Sequence, residues 1–207
     1  GQTETALAGF WPYVFGPLAQ EDAGLAARYS RLMAESQVLV AEDTLRLVDL
    51  SRRRHLLDVG GGTGAFLAEV GKAHPGLTLS LFDMPAVLAA VPATLRDRLR
   101  LCPGDFRADP FPQGPDTISL IRVLYDHSDA SVARLVGKVH DSLPPGGMIL
   151  VSEPMSGGDR PDPATDIYFA VYTLAMRTGR TRSLGGIAGV LQAAGFADLC
   201  PRAGDRP

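Results

Sequence analysis

The segment His55-Leu56-Leu57-Asp58-Val59-Gly60-Gly61-Gly62-Thr63-Gly64-Ala65-Phe66 constrains this chain more than any other. A short apolar strand runs straight into a loop containing four glycines and then into a segment of helical spacing. Residues without a Cβ let backbone turn tightly and approach a ligand closely. In an open parallel sheet such a loop stands at the carboxyl end of its strand, where ligands bind. The loop predicts an α/β fold with a crevice for a nucleotide-like molecule directly above Val59.

The rest of the chain fits that frame, because its hydrophobic period switches repeatedly between strand and helix. Strands are expected at residues 55–59, 77–82, 99–103, 117–123 and 148–152, and Gly195-Phe196-Ala197-Asp198-Leu199 reads as the opening of another. Helices are expected at 64–73, 86–96, 130–142, 167–176 and 184–194. This alternation predicts a Rossmann-like, doubly wound, mostly parallel sheet with helices on both faces. With 207 residues and 45% apolar content there is material for one sizeable core. Residues 51–207 are read as the catalytic domain. Residues 1–50, helical from Gly24 to Leu50 and preceded by the aromatic cluster Phe10-Trp11-Pro12-Tyr13-Val14-Phe15, are read as a helical linker or the remnant of a further domain. The start at Gly1 and the end at Asp205-Arg206-Pro207, just after a strand opening, suggest truncation at both ends.

Composition narrows the partners. Twenty basic residues against 23 acidic ones give a net charge of -3, without a lysine or arginine stripe, so nucleic acid is not an expected partner. Arg52, Arg53 and Arg54 read as a solvated loop. Cys102 and Cys200 are too few and too isolated for a disulfide framework or a structural zinc site, and a cytoplasmic setting is the default. No apolar run approaches the roughly 18 residues of a spanning helix. No histidine, cysteine or carboxylate cluster has metal-ligand spacing, so no metal is expected.

The glycines alone fit two cofactor templates. Gly60, Gly62 and Ala65 match the G-x-G-x-x-G/A dinucleotide pattern, whereas Asp58, Gly60, Gly62 and Gly64 match the D-x-G-x-G-x-G of S-adenosylmethionine (SAM) methyltransferases. Asp83, at the end of the second strand, suits a ribose diol in either case. Two features favour SAM. Asp58 is a carboxylate inside an apolar strand, costly unless it meets a donor or cation, and a sulfonium amino acid brings an ammonium where a dinucleotide brings an anion. Gly104-Asp105-Phe106 then ends the third strand with an acceptor for an adenine amino group beside an aromatic wall.

With these pieces in order, residues 26–196 resemble the catalytic domain of plant-type (family 2) small-molecule O-methyltransferases, class I SAM enzymes. The resemblance rests on Asp58-Val59-Gly60-Gly61-Gly62-Thr63-Gly64, Phe82-Asp83-Met84-Pro85, Gly104-Asp105-Phe106, Arg122-Val123-Leu124-Tyr125-Asp126-His127, Glu153-Pro154 and Gly195-Phe196. Within the family, the Leu124-to-His127 variant and the aromatic lead-in are most similar to bacterial carotenoid hydroxyl O-methyltransferases of the hydroxyneurosporene or demethylspheroidene type. The resemblance implies SAM held by Asp58, Gly60, Gly62, Gly64, Asp83, Met84, Asp105, Phe106 and Arg122, with S-adenosylhomocysteine (SAH) as product. It also implies an N-terminal dimerisation domain, a homodimer, a closing strand pair after Pro207 and an apolar hydroxylated acceptor. A lipophilic acceptor would bring the enzyme to the membrane surface for carotenoid biosynthesis.

The chain departs from the family at the proton acceptor. Where family members carry the His of H-D-W, Tyr125 stands here, and His127 occupies the Trp position. A tyrosine of pKa about 10 is a poor base at neutral pH, and a histidine near 6.5 a better one. If the strand extends that far, residues 125 and 127 share a side. Tyr125 is therefore expected to orient the acceptor hydroxyl, and His127 or Glu153 to take its proton, while Asp126 reads as a helix cap. Thr181 replaces a second acid of the family. Tyr168, Tyr172 and Met176 form, with Phe169, a stripe expected to line the acceptor pocket. C-methylation of a tetrapyrrole or polyketide, a SAM-binding scaffold without activity and a nicotinamide oxidoreductase are the competing readings.

Overall fold

The computed structural model describes residues 37–157, 163–176 and 179–203. A helix over residues 37–47 (α1) leads to β1 (His55–Val59), α2 (Ala65–Ala73), β2 (Thr78–Asp83), the short helices α3 (Pro85–Leu88) and α4 (Ala93–Arg96), and β3 (Arg100–Pro103). After β4 (Thr117–Ile121) come a 3-10 turn (Leu124–Asp126), α5 (Asp129–Ser142) and β5 (Met148–Ser152). The chain continues through β6 (Met155–Ser156), a π-turn (Pro163–Ile167), α6 (Tyr168–Met176), β7 (Arg182–Ser183) and α7 (Leu184–Ala193).

The five long strands form one parallel sheet in the order β3-β2-β1-β4-β5, and β6 and β7 pair separately. From β1 the chain steps outward to β3, then returns past β1 to build β4 and β5. That reversal is a topological switch point, and it opens a crevice at the carboxyl ends of β1 and β4. Both faces of the sheet are covered, which is why β1 and β4 read as nearly continuous apolar runs. On one face Leu57, Val59, Ile118 and Leu120 pack against Val132, Val136 and Val139 of α5 and Leu191 of α7. On the other, Leu56, Leu79 and Leu81 meet Phe66, Leu67 and Val70 of α2 together with Ala41 of α1. The doubly wound α/β class expected from the alternation is the observed one.

Several boundaries differ from expectation, each for a local reason. Ala41 and Leu50 are buried in the second core cluster, so α1 packs on the same face of the sheet as α2. The single helix expected over 86–96 is two short ones, because Pro92 cannot donate within a helix and caps the second instead. β4 stops at Ile121, since Arg122 turns into the left-handed region with φ 57. Residues 195–199 form no strand; Asp198 takes φ 53, which no extended ladder accommodates. The cap of α5 is Ser128, whose Oγ accepts from Ser131 N at 3.3 Å, and not Asp126. The aromatic cluster at 10–15 and the Gly24 end of the first helical segment lie outside the described residues.

Candidate active site

At the switch point lies a cleft of about 200 Å³ with two unlike walls. The first is built mainly from backbone. Gly60, Gly62 and Gly64 adopt φ of 71°, 61° and 84°, winding the loop back over β1, and the Gly60 N–H donates to Phe82 O at 2.8 Å. Gly61 is needed for a different reason: a Cβ there would lie 2.1 Å from Asp58 Oδ2 and 2.7 Å from Leu81 Cδ1. Asp58 is fully buried beneath the loop, with Ser119 Oγ donating to its Oδ1 at 2.6 Å, and burial pushes its carboxyl up to about 7 against that bond. Asp83 receives the Gly62 N–H on Oδ2 at 2.8 Å and the Met84 N–H on Oδ1 at 2.7 Å. Each oxygen keeps a lone pair for a diol at the cleft. Burial raises Asp83 to about 6, with the two N–H donors opposing. Asp105 stands at the far end of this wall beside Phe106, paired with Arg107 through Nη2 to Oδ2 at 2.8 Å and Nε to Oδ1 at 2.9 Å, and that hydrogen bonding holds its carboxyl low.

The second wall is a tight turn fixed by buried charge. Beyond β4 the Arg122 N–H still donates to Ser152 O at 2.7 Å, after which the chain coils into the 3-10 turn. Glu153 meets the leading end of this turn. Its Oε1 accepts from Val123 N and Leu124 N, both at 2.7 Å, and its Oε2 from Tyr125 N at 3.2 Å. Arg182, buried at 7% exposure, meets the trailing end, donating to Leu124 O and His127 O at 2.8 Å each and pairing with Asp129 at 2.7 Å. A carboxylate at the N-terminal end and a guanidinium at the C-terminal end satisfy the orphan donors and acceptors of the turn and complement its dipole. Burial raises Glu153 to about 7 despite its three donors, with the neighbouring Asp126 adding to the rise.

Within this frame the Tyr125 ring packs 5.6 Å from Phe169 and 5.8 Å from Tyr172, and the Arg122 guanidinium carbon lies 5.7 Å from the Phe169 ring centre. The His127 ring stands edge-on to Phe106 at 5.1 Å. Burial first, then Arg107 and Arg182, depress it to about 4, so it is neutral at pH 7. Asp126 lines the cleft; the Tyr125 hydroxyl hydrogen-bonds its carboxyl, and its Oδ1 is buried with no hydrogen-bond partner among the described residues. Burial raises this carboxyl to about 7, with Arg122 and Tyr125 opposing.

Of the residues expected to hold the cofactor, Gly60, Gly62, Asp83, Met84, Asp105, Phe106 and Arg122 line the one cleft. Asp58 and Gly64 do not. Asp58 supports the loop from below, and Gly64 caps α2, where a Cβ would meet Leu95 and Leu99 at 3.0 Å. Of the residues expected to act on the acceptor, Tyr125 and His127 line the cleft, but not through strand alternation, since the chain between them is a helical turn. Glu153 is withdrawn from the wall because three backbone N–H groups claim it. Tyr168 is 63% exposed on the outer face of α6, while Phe169 and Tyr172 face Tyr125; the Met176 side chain lies outside the described residues. Sequence reasoning missed Gln37 and Arg107, which line the cleft, the role of Asp126 in its wall, and Arg182 behind it. Among the described residues no group of three or more His, Cys, Asp or Glu is placed to hold a metal ion, and no helix is long and apolar enough to cross a membrane.

Residues 3–197 match the family model of the O-methyltransferase domain. The chain is 59% identical over 199 residues to the demethylspheroidene O-methyltransferase of Rhodobacter capsulatus, a match covering 96% of this chain and 50% of that protein. It is 55% identical over 212 residues to the protein of the same name from Cereibacter sphaeroides, covering 100% of this chain and 56% of the relative. The crystal structure of human N-acetylserotonin methyltransferase in complex with SAM shares the fold with a TM-score of 0.80 at 28% identity, over 90% of this chain and 54% of that one. The chain thus spans about half the length of the curated relatives it matches. A glycine-wound cleft at the switch point of a doubly wound sheet, in a chain matched by the domain model over nearly its whole length, leads to one assignment: the chain belongs to the O-methyltransferase domain family.

Proposed function

We propose that the full-length protein is a SAM-dependent O-methyltransferase acting on a hydroxyl of an apolar small molecule, a hydroxylated carotenoid. The observation that carries this reading is the pairing of the two walls. One offers ribose, adenine and backbone contacts for the methyl donor, and the other presents Tyr125, backed by Phe169 and Tyr172, as an aromatic surface suited to a hydrocarbon chain. The identity to two demethylspheroidene O-methyltransferases supports the same acceptor class and favours O-methylation over the C-methyl and scaffold alternatives.

The residues present fit SAM. Asp83 would take the ribose hydroxyls, Asp105 and Phe106 the adenine, Arg122 the amino-acid carboxylate, and the Gly60 to Gly62 backbone would pass beneath. When bound, SAM supplies an electrophilic methyl group on a sulfonium. The chain itself then has to hold the acceptor oxygen in line with that methyl and keep water away, which is where most of the rate comes from in such displacements. Tyr125, pinned by Phe169 and by the clamped turn, orients the acceptor. Of the two bases considered, Glu153 is committed to the turn, and His127 at about 4 is a weak proton acceptor. We further propose that the full-length protein is a homodimer in the cytoplasm and works at the membrane surface, where a lipophilic acceptor resides.

The test is a methyl-transfer assay of the full-length protein with labelled SAM against hydroxylated carotenoids, phenols and tetrapyrroles. Labelled ether from a carotenoid alcohol is the expected product. Transfer only to carbon, or none to any hydroxyl, overturns the reading.

A further inference from the structure

We infer that Asp126 is the proton acceptor of the methyl-transfer step, with the Tyr125 hydroxyl hydrogen-bonded to its carboxyl. This rests on the O-methyltransferase reading and deepens it. Three observations carry it. Asp126 lines the cleft on the acceptor wall, between Tyr125 and His127. Its Oδ1 is buried without a hydrogen-bond partner among the described residues, an arrangement that costs free energy unless a ligand donor completes it. The Tyr125 hydroxyl hydrogen-bonds the same carboxyl, so Oδ1 is the oxygen whose acceptor capacity is unused, and a small rotation of the carboxyl turns it toward the cleft that Asp126 lines. The other carboxylate at the turn, Glu153, has both oxygens engaged by backbone N–H groups, and Asp83 is held on the opposite wall.

The residue is fixed tightly enough for the task. It closes the 3-10 turn, whose ends are gripped by Glu153 and Arg182, and Asp126 N itself donates to Val123 O. Here the hydroxyl of the acceptor alcohol donates to Asp126 Oδ1. The alcohol oxygen forms a bond to the sulfonium methyl carbon while the carbon–sulfur bond breaks, and the bonding pair stays on sulfur, giving a neutral thioether. The proton of the resulting oxonium passes to Oδ1, leaving the neutral methyl ether and a protonated Asp126 that returns its proton to solvent. An aliphatic alcohol is too weak an acid to ionise first, so a carboxylate that collects the proton during or after attack is sufficient, and the histidine used elsewhere in the family is not required.

The experiment compares the full-length native protein with Asp126→Asn and Asp126→Ala, measuring kcat on a hydroxylated carotenoid, SAH affinity by calorimetry and thermal unfolding. Asp126→Asn is expected to lower kcat by about 100-fold or more while SAH affinity stays within about threefold, and added formate is expected to restore part of the rate in Asp126→Ala only. Three results overturn the inference: an Asp126→Asn rate within about threefold of native, an SAH affinity that falls in step with the rate, or an Asp126→Asn protein that no longer folds. The first leaves the O-methyltransferase reading intact. A native protein that methylates no hydroxyl overturns both.

Discussion

The two walls of the cleft solve the same problem, holding a small molecule at a fixed distance, with opposite materials. The cofactor wall is built from backbone and strand ends that are near one another in sequence or paired in register. Gly60 bonds Phe82, Gly62 bonds Asp83, and both partners lie on the neighbouring strand β2. The acceptor wall is a short turn with little intrinsic stability, gripped by Glu153 from 28 to 30 residues away and by Arg182 from 55 to 58 away. Strand ends and glycines give rigidity through sterics, and the turn acquires it through buried charge. The first device fixes the glycine loop through the sheet itself, and the second holds the turn through its backbone N–H and C=O groups, leaving the side chains of Tyr125, Asp126 and His127 to face the cleft.

That comparison can be broken in stages. The largest expected effect is at Gly61. Gly61→Ala places a methyl 2.1 Å from Asp58 Oδ2 and should weaken SAH binding by about 100-fold, roughly 3 kcal/mol, in calorimetry. Gly62→Ala, with nothing within 4 Å of its Cβ but a φ of 61°, should cost only about 1 kcal/mol. Equal losses at the two positions would mean that the loop moves as a whole instead of being wedged at Gly61.

Arg182→Met is the corresponding cut on the acceptor wall. It leaves His127 O without its arginine donor, Leu124 O with the His127 N–H alone and Asp129 without one of its cations, and should lower stability in urea unfolding by about 3 kcal/mol. SAH affinity should stay within about twofold if the walls are independent, and a larger drop would couple them.

Acidity probes both walls at once. Asp58, Asp126 and Glu153 are raised to about 7 and Asp83 to about 6, all by burial, so the folded chain binds protons that the unfolded chain releases near pH 4. Stability from this source is full below the unfolded values and is lost as pH rises through 6 to 7. Asp105 and Asp129 act oppositely, but their contribution fades only as pH falls below the ordinary carboxylate range, and His127, held at about 4, offsets part of the loss between pH 5 and about 6.5. The melting temperature should therefore be about 5 °C or more lower at pH 8 than at pH 5. Asp58→Asn should flatten that slope.

The smallest effect is expected at Arg107. Its pair with Asp105 is 59% exposed on the arginine side, so Arg107→Ala should change SAH affinity by no more than about fivefold, upward because Asp105 regains free lone pairs. A loss beyond that range would give the guanidinium a direct contact with the ligand.

The difference in materials also explains what could be read from sequence. Glycines, apolar periods and strand-end carboxylates leave a local pattern, so the sheet, most of its helices and Gly60, Gly62, Asp83 and Asp105 of the cleft lining were legible, while Gln37 and Arg107 carried no such pattern. Asp58 was recognised as anomalous, but its place under Gly61 depends on Ser119, which only the pairing of β1 with β4 brings near. The acceptor wall left no such trace. Nothing near Thr181-Arg182-Ser183 marks an arginine that will be buried, and Glu153 looks like any strand-end acid until three N–H groups are found around it. Asp126 was read as a cap because acids precede helices often; Ser128, immediately before the first turn, was the better candidate. The helical turn at 124–126 likewise undid the alternation argument for residues 125 and 127, which assumed an extended chain.

The sequence distances spanned by the clamp bear on the order of folding. β1, β2 and the glycine loop can close with modest loop entropy once residues 55–83 have collapsed. The turn at 124–126 gains its fixed shape only when β5 has delivered Glu153 and the still later β7 has brought Arg182 back across the crevice. The glycine loop and Asp83 should therefore take their shape before the turn that carries Tyr125, Asp126 and His127, while the Arg122 end of the cofactor site waits for β5.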